Sequence, residues 1–393
     1  MKTRFPLRLI VMTTMVVMLL VAACSSGDSG GDNTSIEGLP PEFQRLAEVW
    51  ELMNREHIDA AGLDPQVSSD GAIRGMVRAL DDPYASFLDQ EQYSLEQEDI
   101  RGFFGGIGAE VGIRDGMMTV LSPMPDTPAE EAGVKPGDVI LEVDGESIRD
   151  MSLLEVVRLI RGEKGTTVTL LIRHLRDRVA VSIEIERDII NLESISLLMQ
   201  VGGIGHLRIS GFTGTTGTEL AEALERFERS KGKGLVVDLR NNPGGLVSSV
   251  VDVASQFIGD GLVLYQVDAN GDRRNWGVKS GGKALDIPMV VLVNEFSASA
   301  SEVFSGAIID NDRGKIIGRT TFGKGSVNNV WPLNDGSGII FTTARWFTPK
   351  GSLIEGEGIP PDVVLKPVEA DEDEDVHLDR AIEILKEEIS RGG

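Results

Sequence analysis

The sequence has little of what disulfide frameworks and metal centres require. It contains one cysteine, Cys24, and four histidines among 393 residues. A disulfide joins two cysteines, and a structural zinc site usually gathers four Cys or His side chains at short spacings. The histidines stand far apart, at positions 57, 174, 206 and 377. We therefore expect no metal ion and no cofactor.

Basic residues are also scarce relative to acidic ones. Lysine and arginine number 38 against 62 aspartates and glutamates, which gives a formal net charge of −24. A surface with this charge repels phosphate backbones, so we expect no nucleic-acid partner. Apolar residues (41%) and charged residues (25%) stand in the proportions of a globular protein, which excludes wholesale disorder and fibrous repeats.

The N-terminal apolar run is too short to span a bilayer comfortably. Residues 9–23 form this run of fifteen residues, and three basic residues precede it. The pattern is typical of a secretory signal. Its end, Val21-Ala22-Ala23-Cys24, looks like a bacterial lipobox, in which the cysteine receives lipid and becomes the mature N-terminus. The other interpretation is an ordinary secretory signal with a coincidental cysteine.

The composition then changes along the chain. We expect a lipoprotein signal peptide at 1–23 and a flexible tether at 24–40, with Cys24 anchoring the protein to the extracytoplasmic face of the cell membrane. Apolar residues recur every three to four positions within residues 41–97, which predicts helices. This helical region is either a structural arm or an arm through which two copies form a homodimer.

Residues 98–187 are predicted to form a compact, strand-rich unit. Short strands are indicated at 117–121, 139–143, 168–173 and 179–185. Residues 152–161 have the periodicity of an amphipathic helix, and Ser152 is placed to cap its first turn.

From residue 188 to 367 strands alternate with helices. Apolar strands are indicated at 204–209, 234–239 and 288–293, and helices at 217–230, 246–258 and 301–309. Buried apolar strands separated by amphipathic helices predict an α/β layer with a mostly parallel sheet. Residues 368–393 contain an acidic segment and a last helix.

Two loops of the α/β region follow buried strands, where open α/β folds place their sites. In loop 238–245, Gly244 and Gly245 can turn backbone N–H groups towards a developing negative charge, although a plain tight turn has the same residues. Loop 294–302 contains serines among small residues before a helix, whose positive end favours a nucleophilic serine. The other interpretation of this loop is a helix cap made by Ser301 and Glu302.

A third loop, residues 320–326, holds Lys324 between two glycines. It is either a mobile surface loop or a place where a lysine is held against closely packed backbone. Its spacing from Gly318 is nearly that of a phosphate-binding loop, but Gly325 stands where Ser or Thr would bind magnesium. Residues 327–332 are predicted to be extended where a helix would be needed, so nucleotide binding is disfavoured.

A nucleophilic serine needs a base, and none of the four histidines lies in these loops. Lys324 is the better candidate. Burial among Phe322 and apolar neighbours would favour its neutral amine form, which can accept a proton.

These loops and several other blocks resemble the C-terminal processing peptidases, also called tail-specific proteases. The resemblance extends over residues 43–365. It implies a multidomain α/β protein with an N-terminal helical arm, a β-rich PDZ domain at 98–187 and an α/β protease core at 188–367. The blocks that carry it are Leu80–Tyr84, Phe104–Gly108, Val134–Asp138, Ile160–Gly162, Asp238–Gly245, Ser297–Glu302, Phe322–Val327 and Gly358–Asp362.

The resemblance also implies a Ser/Lys dyad. Ser299, the middle serine of its block, would be the nucleophile, and Lys324 would be the general base. The N–H groups of Gly244 or Gly245 and of Ala300 would form the oxyanion hole.

In the PDZ domain, the resemblance implies that Gly106, Ile107 and Gly108 bind a substrate's terminal carboxylate through backbone N–H groups. The helix at 152–161 would form the side-chain groove. The expected partners are therefore proteins or peptides with free C-termini. The expected activity is that of a serine endopeptidase that cleaves proteins with unstructured apolar tails.

Three places in the catalytic region are compared with the family's usual residues. Asn328 stands where the family usually has a Gln that orients the lysine, and its side chain is one methylene shorter. Asp310 matches a position that some members use to support the site. The pair Glu295-Phe296 stands before the nucleophile, where glycine is common in the family. The alternative function is therefore a catalytically silent PDZ scaffold that binds C-terminal peptides at the membrane.

Overall fold

A computed structural model describes residues 40–114, 116–149, 151–175, 177–366 and 375–392. The predicted signal peptide, Cys24 and most of the tether lie outside the described residues, as do residues 367–374 of the acidic segment. The chain divides into one compact unit that ends at Ser68 and a second that begins at Ser69. Within the described ranges, no helix combines the length and the apolar character needed to cross a membrane.

The order of elements is that of a helical region, a β-rich domain and an α/β core. The helices are α1 (Gln44–Glu56), α2 (Pro65–Arg78), α3 (Gln90–Arg101), α4 (Pro128–Glu131), α5 (Leu153–Ile160), α6 (Thr216–Arg229), α7 (Val247–Phe257), α8 (Ala300–Asp310) and α9 (Val376–Gly392). The strands are β1 (Ser86–Leu88), β2 (Phe103–Gly106), β3 (Ala109–Arg114), β4 (Met117–Pro123), β5 (Val139–Val143), β6 (Glu146–Ser147), β7 (Thr167–Arg173), β8 (Val181–Glu186), β9 (Asp188–Asn191), β10 (Ile195–Gln200), β11 (Ile204–Ile209), β12 (Gly234–Asp238), β13 (Leu262–Asp268), β14 (Arg273–Gly277), β15 (Met289–Val293), β16 (Lys315–Gly318), β17 (Ser326–Pro332), β18 (Gly338–Phe347) and β19 (Val363–Val364).

The β-rich domain is built on an antiparallel sheet in the order β3-β4-β5-β7-β8. Helix α5 begins where the sequence predicts, because Ser152 caps it. The Ser152 hydroxyl accepts a hydrogen bond from Glu155 N (3.3 Å), and the Glu155 carboxylate accepts one from Ser152 N (2.6 Å). This reciprocal capping satisfies two N–H groups of the first turn. Val156 of α5 is fully buried in the domain core, with Val120 and Leu170 of the sheet.

The core sheet of the α/β region has the order β10-β11-β12-β15-β16-β19. All neighbours from β11 to β19 are parallel, and β10 is antiparallel to β11. Helices α6, α7 and α8 cover one face of the sheet, and α9 covers the other. Every residue of β12 and β15 is buried for this reason, which explains why both strands are apolar apart from Asp238 at the end of β12. The prediction of a mostly parallel buried sheet is confirmed.

A second sheet, in the order β1-β18-β13-β14 with β17 paired to β18, was not predicted. Its strand β1 lies within the predicted helical region, residues 41–97, in a segment after Pro83 for which the sequence indicates no strand. Ser86 of β1 pairs with Ile340 of β18, a partner in the last quarter of the chain. A strand of three residues with so distant a partner leaves no local periodicity to detect.

Candidate active site

The three predicted loops meet at one edge of the core sheet. They follow β12, β15 and β16, which are adjacent parallel strands, so their carboxyl ends lie side by side. Ser299 immediately precedes the first residue of α8, and its φ angle is 54°. This left-handed value is uncommon for a residue with a side chain and concentrates at functional sites. The helix N-terminus also places partial positive charge beside the hydroxyl.

The buried carboxylate of Glu302 holds together the serine loop (residues 294–302) and the lysine loop (residues 320–326). Its Oε2 accepts hydrogen bonds from the backbone N–H groups of Ser299 and Lys324, each at 2.8 Å. Its Oε1 accepts from the Thr321 hydroxyl and from Gly323 N, each at 2.6 Å. Burial raises the pKa of Glu302, and these hydrogen bonds oppose that rise. The Ser299 and Lys324 backbones are thus fixed close together by a single side chain.

No local pattern indicates this role for Glu302. Three residues after the serine, a glutamate has the spacing of a helix capping box, which is a local and purely structural pattern. Its contacts with Thr321, Gly323 and Lys324 are made across the sheet edge and become visible only in the folded chain.

Lys324 is half-buried, and its Nζ lies 4.8 Å from the centroid of the Tyr84 ring. A cation over an aromatic face is stabilised by the ring's quadrupole. The expectation that Phe322 buries Lys324 is wrong, because Phe322 is 58% exposed. The Tyr84 segment is instead held in place by Asp82, which accepts hydrogen bonds from Tyr84 N (3.0 Å) and from Thr342 N of β18 (2.8 Å).

Carboxylates from several elements surround the Lys324–Tyr84 pair. Burial raises the pKa of Glu96 on α3, and the positive charge of Lys324 opposes that rise. Burial also raises the pKa of Tyr84, and the charges of Glu355 and Glu302 add to the effect. The lysine therefore lies in a partly buried and predominantly acidic environment.

Two backbone N–H groups are available to form an oxyanion hole. Gly244 N donates to the Asn242 side-chain oxygen at 2.9 Å, so that N–H is already used. The N–H groups of Gly245 and Ala300 donate to no acceptor among the described residues. Gly244 instead provides room: a Cβ on it would lie 2.7 Å from the Ser299 Cβ. Of the two glycines that the sequence left open, the geometry favours Gly245 as the donor.

Asn328 makes its side-chain hydrogen bonds to residues other than Lys324. It lies on β17, where its side-chain N–H donates to the Thr342 hydroxyl at 3.3 Å and its oxygen accepts from the Ser326 hydroxyl at 3.2 Å. Both ends of the amide are therefore used on the strand pair β17–β18. Within the described part of the chain, no hydrogen bond joins this amide to the lysine.

Asp310 lies at the far end of α8 from Ser299. A helix rises 1.5 Å per residue, so the two residues are separated by about 15 Å. The Asp310 carboxylate accepts a hydrogen bond from Lys350 N at 2.7 Å and so holds the loop after β18. Asp310 is therefore too far from Ser299 to contact it, and the support of the site that the resemblance implies stays a prediction.

A chain of ion pairs continues from the end of β12. The fully buried Asp238 binds His206 (2.9 Å) and Arg240 (2.7 Å), and Arg240 binds Asp375 just before α9 (2.7 Å). Burial would raise the pKa of Asp238, but the hydrogen bonds from His206 and Arg240 outweigh it and hold that pKa far below its usual range. No cluster of His, Cys, Asp and Glu suited to a metal ion occurs in the described ranges.

Two of the three predicted carboxylate-binding residues of the β-rich domain, Ile107 and Gly108, line a groove. The side chain of Ile107 is buried in the domain core, and the N–H groups of Ile107 and Gly108 donate to no acceptor within the described ranges. Gly108 has φ +75°, and a Cβ there would overlap the Thr127 side chain. Gly106 ends β2, directly before these two residues. A cavity of about 180 Å³ lies between this loop and α5, where Val157 lines it.

A larger cleft, of about 760 Å³, continues from this groove towards the core sheet. Met124 lines both cavities. The far side of the cleft is lined by Ser210, Gly211 and Thr213. This segment adjoins the glycine loop (residues 238–245), since Phe212 N donates a hydrogen bond to Gly244 O at 2.9 Å. The cleft therefore extends from the groove to the segment next to Gly244, and Ser299 lines neither cavity.

Comparisons with known proteins match each part of this architecture. The profile of peptidase family S41 matches residues 203–365, that of the PDZ domain matches 119–174, and that of the activating protease CtpB N-terminal domain matches 20–92. The first two matches lie within the α/β core and the β-rich domain described above.

Whole-length relatives are found as well. The chain is 37% identical over 367 residues to the carboxy-terminal processing protease CtpA of Bacillus subtilis, covering 92% of this chain and 78% of that protein. It is 36% identical over 361 residues to a probable CtpA-like serine protease of Staphylococcus epidermidis, covering 91% and 71%. Among solved structures, a photosystem II D1 C-terminal processing protease is 30% identical, with a TM-score of 0.50 over 84% of this chain and 94% of that one.

Proposed function

Because the chain belongs to the carboxy-terminal processing proteases of peptidase family S41, we propose that it is a serine endopeptidase that cleaves proteins with unstructured apolar C-terminal tails. The observation that carries the proposal is the carboxylate of Glu302, which binds the backbones of Ser299 and Lys324 through one oxygen. This contact supports a Ser/Lys dyad because it brings the two loops of the proposed nucleophile and base together.

The proposed reaction uses these two residues in sequence. Lys324, as the neutral amine, takes the proton of the Ser299 hydroxyl while the oxygen attacks the scissile carbonyl carbon. The N–H groups of Gly245 and Ala300 receive the resulting oxyanion. The C–N bond breaks as Lys324 returns the proton to the leaving amine, which leaves an ester on Ser299. Water then attacks the ester, Lys324 takes its proton, and that proton restores the serine hydroxyl as the acid product leaves.

Tail recognition is assigned to the PDZ domain. The N–H groups of Ile107 and Gly108 would bind the terminal carboxylate, and the apolar groove beside α5 would take the last side chain. The adjoining cleft supports this proposal, since it offers a bound tail a route from the groove to the segment beside Gly244. Proteins and peptides with free C-termini are the proposed substrates.

The proposed location is the extracytoplasmic face of the cell membrane, with lipid on Cys24 as the anchor. The proposed assembly is a homodimer formed through the N-terminal arm. In the first unit, α1 has Leu46, Val49 and Leu52 about half exposed, as expected of a helix face that meets a partner.

A second candidate function is a catalytically silent PDZ scaffold that binds tails without cleaving them. The observation that favours it is the position of Asn328, whose amide is used by Ser326 and Thr342 and does not orient Lys324. A scaffold of this kind would use the same groove and the same partners.

One experiment separates the two functions. The protein is incubated with an unfolded substrate that has an apolar C-terminus, and mass spectrometry compares wild type with Ser299→Ala and Lys324→Ala. We expect cleavage by wild type alone. Cleavage by Ser299→Ala as well would remove Ser299 as the nucleophile. Tail binding without cleavage by any form would establish the scaffold.

A further inference from the structure

Glu355 has a buried oxygen that no donor satisfies. Its Oε2 is inaccessible to solvent and has no hydrogen-bond partner among the described residues. A buried carboxylate oxygen without a partner is expensive and rare in folded proteins. The group is titratable, and the mechanism proposed above does not use it.

The loop of Glu355 packs directly against the lysine loop. Gly356 N donates a hydrogen bond to Gly323 O at 2.9 Å. A Cβ added to Gly325 would lie 2.2 Å from the backbone nitrogen of Glu355, so only glycine allows this approach. Lys324 lies between these two glycines, and its backbone is therefore adjacent to that of Glu355.

The Lys324 side chain, in turn, makes no ion pair and no hydrogen bond with the described residues. Its Nζ lies over the Tyr84 ring, and no carboxylate of the described residues is within ion-pairing distance of it. Glu302 binds the lysine's backbone N–H, and the Asn328 amide is used on β17 and β18. An ammonium group has three N–H donors, and the protein supplies none of them with a conventional acceptor here.

Tyr84 lies within reach of both unmatched groups. The Lys324 Nζ lies 4.8 Å from the centroid of the Tyr84 ring. Burial is the largest cause of the raised pKa of the Tyr84 hydroxyl, and the charge of Glu355 is the next. Glu355 and Lys324 are therefore opposite charges beside one aromatic ring. The flexible four-carbon stem of a lysine allows Nζ to move from the ring to a nearby acceptor.

We propose that Glu355 is a positioning residue for Lys324, whose unpaired Oε2 accepts a hydrogen bond from Nζ and turns the amine towards Ser299. Glu355 thereby takes the orienting role that Asn328 does not fill in this chain. The proposal rests on the Ser/Lys mechanism proposed above and adds a residue to it.

The proposal has a consequence for proton binding by Lys324. The other charged groups around the lysine and Tyr84 are Glu96 on α3, Glu302 on α8, Arg345 on β18 and Asp82. These remain when Glu355 is changed. A carboxylate beside an ammonium stabilises the protonated form, so removing the charge of Glu355 makes Lys324 release its proton at lower pH.

Nuclear magnetic resonance of the full chain tests this without requiring activity. The lysine side chains are isotopically labelled, and the Lys324 signal is assigned by its loss in Lys324→Arg. We expect the midpoint of its titration to fall by about one pH unit in Glu355→Gln. Glu357→Gln is the matched control, because Glu357 is exposed and lies two residues along the same loop. Equal midpoints in wild type and Glu355→Gln would overturn the proposal.

Kinetics supply the second readout. We expect Glu355→Gln to lower kcat about tenfold with KM unchanged, and to move the acid limb of the pH–rate profile to lower pH. Glu355→Ala should lower kcat more than Asn328→Ala does. The reverse order would return the orienting role to Asn328 and contradict the proposal. If Ser299→Ala stays active, the proposed nucleophile fails, and the titration of Lys324 still decides the role of Glu355.

Discussion

At the residue scale, the candidate site depends on the acceptor chemistry of Glu302. All four of its partners are donors: two on Oε1 and two on Oε2. A glutamine at this position would replace one oxygen by an NH₂ group, so at least one backbone N–H would face another donor and lose its acceptor. Leaving such a group without an acceptor costs about 1–3 kcal/mol. The same loss would release the serine loop from the lysine loop.

We therefore expect Glu302→Gln to lower kcat at least about 100-fold, because small displacements of reacting groups have effects of this size. KM for tailed peptides should change little, since the PDZ groove is untouched. The measurement is steady-state kinetics beside thermal unfolding. The control is Glu295→Gln, which removes an acid from the same loop that pairs only with Arg319. Wild-type kcat in Glu302→Gln would show that the carboxylate is not needed to align the dyad.

Gly244 allows a second test of the serine's position. A Cβ there would meet the Ser299 Cβ at 2.7 Å and Ala300 N at 2.9 Å, at a φ of +107°. We expect Gly244→Ala to reduce kcat about 100-fold by displacing Ser299. Gly271→Ala separates this clash from backbone strain, because Gly271 has φ +85° with nothing near its Cβ position. If both variants behaved alike in an activity assay, strain rather than displacement would be the cause.

The sequence predicted the candidate site better where chemistry is local than where it depends on distant contacts. Ser299, Lys324 and the paired glycines lie in loops whose small residues mark them directly. Glu302 was interpreted as a local cap, and Tyr84 was not connected with the lysine at all. These contacts join residues far apart in the chain, and the local periodicity of a single sequence contains no pattern for them.

At the element scale, α9 is joined to the glycine loop through Asp375. This residue immediately precedes α9 and binds Arg240 with both carboxylate oxygens. The hydrogen bond from Arg240 lowers the pKa of Asp375 below its ordinary value of 3.8, and partial burial opposes this. A carboxyl group whose pKa is lower in the folded state stabilises that state above its unfolded pKa. The stabilisation is lost as the pH falls through the folded pKa.

We expect Asp375→Asn to lower the free energy of unfolding at pH 7 by about 1 kcal/mol or less, since the carboxylate is partly exposed. The difference from wild type should shrink as the pH falls below 3.8. Asp379→Asn is the control, because it removes an acid from the first turn of the same helix without touching Arg240. Thermal unfolding across this pH range gives the comparison. A pH-independent difference would mean that the ion pair with Arg240 is not its source.

Helices and strands can be predicted from the sequence where their residues are completely buried or capped, but a very short strand cannot. β12 and β15 are apolar, apart from Asp238 at the end of β12, because helices cover both faces of their sheet, so the sequence indicates them and their parallel order. The Ser152 cap likewise identifies α5. β1 has three residues and depends on β18 for its conformation. Its pairing positions Tyr84, yet nothing in residues 41–97 indicates a strand.

At the scale of the whole second unit, the PDZ groove and Ser299 lie in different parts of the fold, the groove on the β-rich domain and Ser299 at the edge of the core sheet. A cleft that shares Met124 with the groove extends to Ser210, Gly211 and Thr213, which lie next to Gly244. Substrate selection and cleavage can therefore be separated by experiment. In the proposed mechanism, a free tail carboxylate binds the N–H groups of Ile107 and Gly108, whereas Ser299 attacks the scissile bond. Changing the tail should change which substrates are captured and leave the chemistry intact.

We expect amidation of a substrate's C-terminus to lower kcat/KM about tenfold, because charge-assisted hydrogen bonds to a carboxylate contribute about 1.5–3 kcal/mol. Val157→Glu, which places a charge in the apolar groove, should abolish this preference and leave cleavage of the amidated peptide unchanged. Val179→Glu is the matched control, since Val179 is exposed in the same domain and lies outside the groove. Rates are compared for peptide pairs that differ only at the terminus. Equal kcat/KM for free and amidated tails in wild type would mean that the groove does not select substrates by their C-termini, and the PDZ domain would then need a different role in the reaction.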